Sequence, residues 1–301
     1  MISQPLVTIG AINYNNGLYV IETLESIKAQ TYPNVELVIV DDCSTDNSAT
    51  LIAEWLVDYS KPFKFIKHPK NLGVCATCND VIKNASGKFV SLIATDDIMM
   101  PDKIKIQASL LEQADSNIGA VYSDAYLMND DSSLRQGLFI ERYRKFDNIP
   151  SGHIYNDLLA TNFLPAMSLM VKMECYKEVG LFDEELVFED YDMWLRISKK
   201  YKILYSTYIS AKYRLRNNSL MTVIRNWDTS TIKILAKHVK DSPSLLPRLE
   251  ELGVGSYCNS DRASIISLKP LAGYSFKIKF ITFLHYFKIP RSIGLFILKR
   301  L

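Results

Sequence analysis

The chain has 301 residues, 48% of them hydrophobic, enough to bury a full core and to argue against a disordered or fibrous protein. Its 35 basic residues are matched by 33 acidic ones, so no nucleic-acid partner is indicated. The five cysteines are an odd number in a large chain, which argues against a disulfide framework and for a reducing, cytoplasmic location.

The start carries no charged leader with a long apolar run, so no export signal is expected. No stretch reaches the ~18 apolar residues of a spanning helix. Residues 6–12 are apolar and uncharged and predict a buried strand. Val20, Ile21, Leu24 and Ile27 recur at helical spacing within residues 18–30, and Pro33-Asn34 breaks the run. Residues 35–40 predict a second strand. Ser44 or Thr45 is the expected cap of a helix reaching about residue 59. A third strand at 63–67, a helix at 74–85 and a fourth strand at 89–94 follow. Pro101 is expected at the first position of a helix to about residue 113, before a fifth strand at 119–123.

Strands alternating with helices for 125 residues predict an α/β layer on one mostly parallel sheet. Residues 126–165 are polar and turn-rich and read as a flexible excursion over the sheet edge. Residues 166–171 are apolar again. An acidic, aromatic run at 186–197 leads into a helix, and 203–207 and 211–215 predict strands. From about residue 222 the pattern is helical. The expected organisation is a catalytic domain at 1–220 and a helical, basic and apolar extension at 221–301. Within the domain, residues 1–125 form the nucleotide and metal half and 126–220 the acceptor half.

Ligands of such sheets bind beyond the carboxyl ends of the strands. Polar clusters follow three of the predicted strands: Asn13-Tyr14-Asn15, Asp41-Asp42 and Thr95-Asp96-Asp97. Adjacent carboxylates repel unless a cation or hydrogen donor is bound. One of the first pair therefore reads as a nucleobase acceptor, with a helix cap as the alternative. Asp96-Asp97 suits magnesium or manganese, again with a cap as the alternative. Glu189-Asp190 lies among Phe188, Tyr191, Met193 and Trp194, where burial suits a general base; a solvated helix start is the alternative.

The run Val40-Asp41-Asp42-Cys43-Ser44-Thr45-Asp46 resembles the signature of the family 2 glycosyltransferases. So do residues 5–15, Asn71-Leu72-Gly73, residues 87–97 and Val179-Gly180-Leu181-Phe182-Asp183-Glu184. Glu189-Asp190-Tyr191-Asp192-Met193-Trp194-Leu195-Arg196 completes the order, over roughly residues 5–220. The resemblance implies a GT-A fold, a divalent metal and inverting transfer from a nucleotide sugar, usually a UDP-sugar. By the same resemblance Tyr14 stacks on the base, beside Asn15, and Asp42 hydrogen-bonds it. Asp96 and Asp97 match the D-x-D-like position, with Asp97 the direct metal ligand. Asp190 matches the catalytic base, with Glu189 and Trp194 near the acceptor. Where many members place a His, this chain has Arg216, which binds phosphate but not metal.

After Asp261 the chain has eight lysines and arginines and no acid. Phe276, Ile278, Phe280, Ile281, Phe283, Leu284, Phe287 and Ile289 sit among those lysines. The pattern suits a helix on an anionic leaflet, placing the protein peripherally at the inner face of the plasma membrane. A polyprenyl-linked glycan acceptor, in O-antigen or capsule synthesis, follows from that reading. A tail packed on the catalytic domain is the alternative to membrane binding. The alternative to an enzyme is a non-catalytic sugar- or nucleotide-binding scaffold that kept the fold.

Overall fold

The computed structural model describes residues 4–188, 190–216, 227–298 and 300. The chain divides into two compact units, residues 1–219 and 220–301.

A nine-stranded sheet organises the first unit. Its strands are β1 (Val7–Asn13), β2 (Val35–Asp41), β3 (Phe63–Lys67), β4 (Phe89–Ala94), β5 (Ile98–Met99), β6 (Ile118–Met128), β7 (Leu134–Leu138), β8 (Met170–Lys172) and β9 (Lys202–Arg214). The order is β3-β2-β1-β4-β8-β6-β9-β5, with β7 paired to β6. The first four strands pair in parallel, as do β6 and β9. The short β8 runs antiparallel between β4 and β6.

Every residue of β2 is buried, because helices cover both faces of the sheet. Val35, Leu37 and Ile39 join the larger core cluster with α1 (Val20–Lys28), α2 (Ser48–Leu56) and α4 (Lys103–Gln113). Val38 and Val40 face the other way, onto Val81 of α3 (Val74–Asn84). The strand period of two thus serves two cores. Burying each such Leu or Ile contributes roughly 1.5–3 kcal/mol. Gly10 on β1 lets α3 approach closely, since a Cβ there would collide with Val81 Cγ1.

Two helix starts differ from expectation. Asn47, not Ser44 or Thr45, stands at the cap of α2, and Asp46 accepts the Ser48 N–H. Asp102 stands at the cap of α4, so Pro101 precedes the cap rather than opening the helix. Residues 126–165 are also more ordered than expected. β6 continues to Met128, and β7 returns against it. Two short helices follow, α5 (Phe139–Tyr143) and α6 (Tyr155–Ala160). The strands expected at 203–207 and 211–215 are one, β9, which pairs with β6 across a register shift. α7 (Met173–Val179) and α8 (Asp190–Lys200) complete this unit.

The second unit is helical: α9 (Trp227–Ala236), α10 (Leu246–Cys258), α11 (Arg262–Leu268), α12 (Phe276–Tyr286) and α13 (Arg291–Leu298). Tyr257, Ile265, Ile281, Leu284 and Leu298 form a core of its own. Among the described residues, no helix is long and apolar enough to cross a membrane.

Candidate active site

The carboxyl ends of β1, β2 and β4 are joined by one hydrogen-bonded chain. Asn13 Nδ2 donates to Asp41 Oδ2 at 2.6 Å and to Ser48 Oγ at 2.9 Å. Asn13 Oδ1 accepts from Thr95 Oγ1 at 2.5 Å, and Thr95 Oγ1 in turn accepts from Asn16 Nδ2 at 3.0 Å. Asn16 Oδ1 then takes Arg216 Nη1 at 2.6 Å, and the same nitrogen reaches Asp96 Oδ2 at 2.9 Å. Most of these side chains are buried, so each would carry a desolvation cost without its partner.

The Asp96-Asp97 pair sits against two arginines from the end of β9. Arg214 is only 2% exposed. Its Nε donates to the Asp96 carbonyl at 2.8 Å, and its Nη2 to Glu22 at 2.5 Å. Nη1 takes the Asn129 and Asp130 carbonyls and Ser132 Oγ, all at the β6–β7 turn. Arg214 is therefore a clamp between that turn, α1 and the acidic pair. Arg216 is more open, and both guanidinium groups lie over the Tyr19 ring, at 4.5 and 4.7 Å. Among the described residues the Asp97 carboxylate takes one hydrogen bond, from Arg214 N–H at 2.9 Å. Burial, and then the Asp96 charge, hold Asp97 well above the usual carboxylate range.

Asp190 opens α8 and is partly exposed. Its Oδ2 accepts from Asn162 Nδ2 at 2.9 Å and its Oδ1 from Tyr191 N–H at 2.6 Å. Burial raises its pKa, against the lowering effect of those two donors. Tyr213 reports on the whole cluster. Burial raises its hydroxyl first, and the charges of Asp97, Asp96 and Asp190 raise it further. The three carboxylates therefore lie within electrostatic reach of one ring.

Asp42 is held by the segment after β3. Leu72 N–H and His68 Nδ1 reach its Oδ1 at 2.7 and 2.8 Å, and Gly73 N–H reaches Oδ2 at 2.8 Å. Gly73 has φ +90°, a conformation that favours glycine and that turns its N–H to the carboxylate. Tyr14 stands 48% exposed beside this loop system, its ring available to a flat ligand.

The Glycosyl transferase family 2 profile matches residues 8–162, about half of the chain. The chain belongs to that family. An uncharacterized glycosyltransferase of Rickettsia felis is 30% identical over 226 residues, 74% of this chain and 36% of that one. The chain thus spans about a third of that relative's length. The putative teichuronic acid biosynthesis glycosyltransferase TuaG of Bacillus subtilis is 25% identical over 218 residues, 72% of this chain and 82% of TuaG. Among solved structures, S. aureus TarS 1-349 in complex with UDP-GlcNAc overlays with a TM-score of 0.61 at 16% identity, covering 96% of this chain and 74% of that one. That likeness, with the sheet described above, identifies the GT-A fold.

Several residues expected in this glycosyltransferase site do different work. Asn15 Oδ1 is taken by Thr45 and Asp46, so its side chain positions the loop after β2. Trp194 is 3% exposed and offers no ring face to a sugar; its Nε1–H has no partner among the described residues. Arg214, two residues before Arg216, has every side-chain nitrogen engaged by protein acceptors. Glu189 lies outside the described residues. Cys75 and Cys78 are buried, and Cys75 Sγ contacts the Leu186 carbonyl, in keeping with packing. His68, Tyr19 and Asn162 carried no signal in the sequence, since each gains its role from residues distant in the chain.

Replacing Arg214 by Lys keeps the charge but leaves most of its acceptors without donors. We expect Arg214→Lys to lower the unfolding free energy by about 3 kcal/mol, measured by urea denaturation. A loss within experimental error would show that the clamp carries no stability.

Proposed function

We propose that the chain is an inverting glycosyltransferase moving a sugar from a UDP-sugar to an acceptor hydroxyl. The observation that carries this reading is the buried Asp97 beside Asp96, whose carboxylate Arg216 Nη1 holds at 2.9 Å. In this reading Tyr14 stacks on uracil. Asp42 has about four acceptor sites and three are taken, which leaves Oδ2 one lone pair for the uracil N3–H. The raised pKa of Asp190 makes it a better base than an ordinary carboxylate. It takes the acceptor proton as the acceptor oxygen attacks the anomeric carbon from the face opposite the diphosphate. The bond to the diphosphate breaks in the same step, UDP leaves, and the configuration inverts. Arg216 turns its charge to the departing diphosphate. Asp190→Asn should abolish transfer while leaving UDP affinity within about twofold; full transfer by this variant would sink the assignment.

Asp97 and Asp96 fit a magnesium or manganese ion. Asp97 is buried, and among the described residues no side-chain cation bonds its carboxylate; such an ion would offset the desolvation that raises its pKa. Among the described residues no cluster of three metal-binding side chains exists, so Asp97 and Asp96 would hold the ion together with oxygens from outside the protein, such as those of the donor's diphosphate. When bound, the ion neutralises charge on the leaving diphosphate. UDP at a hundred times its dissociation constant adds about 2.7 kcal/mol of stability. We expect this as a rise in melting temperature that needs manganese. A rise of equal size without metal would assign the neutralising role to Arg216 alone. No rise with any nucleotide, and no hydrolysis of nucleotide sugars, would favour the scaffold reading.

The acceptor we assign to this reading is a lipid-linked glycan of surface-polysaccharide synthesis. The likeness to TuaG, a putative teichuronic acid biosynthesis glycosyltransferase, supports a polysaccharide context. The second unit supports a membrane surface. Phe276, Phe283, Tyr286 and Phe287 are 48–79% exposed along α12, beside Lys277, Lys279 and Lys288. Ile293 and Phe296 of α13 are also exposed. Aromatic side chains bordered by cations, with no acid after Asp261, match an anionic bilayer at the inner face of the plasma membrane. Phosphatidylglycerol vesicles should sediment the protein and pure phosphatidylcholine vesicles should not. Phe283→Ser with Phe287→Ser should weaken that binding at least about tenfold. Equal sedimentation of the variant would remove the membrane from the proposal.

A further inference from the structure

His68 follows β3 and is buried with a carboxylate at each ring nitrogen. Nδ1 lies 2.8 Å from Asp42 Oδ1, and Nε2 lies 3.0 Å from Asp80 Oδ2. Asp80 is on α3 and also holds Lys83 Nζ at 2.9 Å. The His68 N–H donates to the Asp41 carbonyl at 2.9 Å, which fixes the backbone. Among the described residues, Asp42 just after β2 and Asp80 and Lys83 from α3 are the charged groups around the ring. A neutral imidazole donates from only one nitrogen, whereas two carboxylates call for two donors. Burial by itself would lower the His68 pKa, but the bonds to Asp42 and Asp80 outweigh it and raise the value.

We propose that His68 is a positioning residue for nucleobase recognition: as the imidazolium, it holds Asp42 so that Oδ2 keeps one acceptor for a base N–H. The inference rests on the reading of Asp42 given above. His68 saturates Oδ1 together with Leu72 N–H, and Gly73 N–H takes one side of Oδ2. The remaining acceptor suits uracil, whose N3 carries a hydrogen, and rejects cytosine, whose N3 is itself an acceptor. The site therefore selects a uridine over a cytidine diphosphate, and does so best while His68 is protonated. As pH rises through its raised pKa, the ring keeps one proton shared between its two tautomers, Asp42 keeps its donor in only one of them, and uridine affinity falls.

Two neutral substitutions separate the ring's two bonds. Asn places its Nδ2 near the position of His Nδ1 and keeps the bond to Asp42. Gln places its Nε2 near that of His Nε2 and keeps only the bond to Asp80. UDP and CDP affinities would be measured by titration calorimetry on the full chain with manganese, from mildly acid to mildly alkaline pH. Each variant is taken as a ratio to the wild type, so that titration of the base cancels. We expect His68→Gln to weaken UDP binding about tenfold. His68→Asn should stay within about threefold of the wild type at acid pH and lose the wild-type decline at higher pH. Asp80→Asn, on a partly exposed side chain, should shift that decline to lower pH, which a purely structural His68 would not do. UDP affinities and pH profiles unchanged in all three variants, with Asp42→Asn still losing the preference for UDP over CDP, would overturn the role of His68 alone. An Asp42→Asn variant that keeps both affinity and preference would overturn the reading of Asp42 as well.

Discussion

The buried amide of Asn13 is the group on which the site depends. A parallel sheet brings the ends of β1, β2 and β4 together and crowds Asp41, Thr95 and Asn16 into one small volume. Left unpaired there, each polar group would cost about 1–3 kcal/mol. Asn13 resolves this by donating toward β2 and accepting from the segment after β4. Because an amide offers both donor and acceptor, one side chain fixes the relative position of three strand ends. The loops bearing Tyr14, Asp42 and Asp96-Asp97 start from those ends, so their spacing follows from this network.

The end of β9 divides its positive charge between two residues with different duties. Arg214 and Arg216 are two apart on an extended segment and share the Tyr19 ring. Arg214 is enclosed and uses every nitrogen on protein acceptors. Arg216 is tied to Asp96 in a pair whose side chains are 20% and 19% exposed, more open than Arg214. Among the described residues Asp97 has a single hydrogen bond, from a backbone N–H, and burial with the neighbouring Asp96 charge outweighs the two arginines in disfavouring its ionised form.

The two units answer different constraints. The first unit buries the faces of its sheet beneath helices and leaves polar groups at the strand ends. The second has a small core of Tyr257, Ile265, Ile281, Leu284 and Leu298, and leaves a row of aromatic rings outside it. Phe276, Phe280, Phe283 and Phe287 recur three or four residues apart and touch in sequence along α12. A face of that kind has few equilibrium solutions in water, which is the physical ground for assigning it a surface to rest on.

Much of this protein was legible from the chain alone. β3 and β4 fall on the residues expected, because short stretches rich in aromatic and β-branched residues between turn residues favour strands. The three acidic pairs could be singled out from the sequence, since adjacent carboxylates at strand ends or helix starts repel unless something offsets their charge. What the pattern could not settle were matters of distance. The β6–β7 hairpin is polar in composition and ordered by an arginine more than eighty residues away in the chain. His68 gains its meaning from Asp42 and Asp80, and Trp194, expected near the acceptor, is covered by the fold. Residue types and periodicity determined the sheet, the family and the chemical inventory. Tertiary structure alone decided which acceptors are already spent and which are left for a ligand, because a hydrogen bond is set by position within tenths of an ångström and sequence carries no such coordinate.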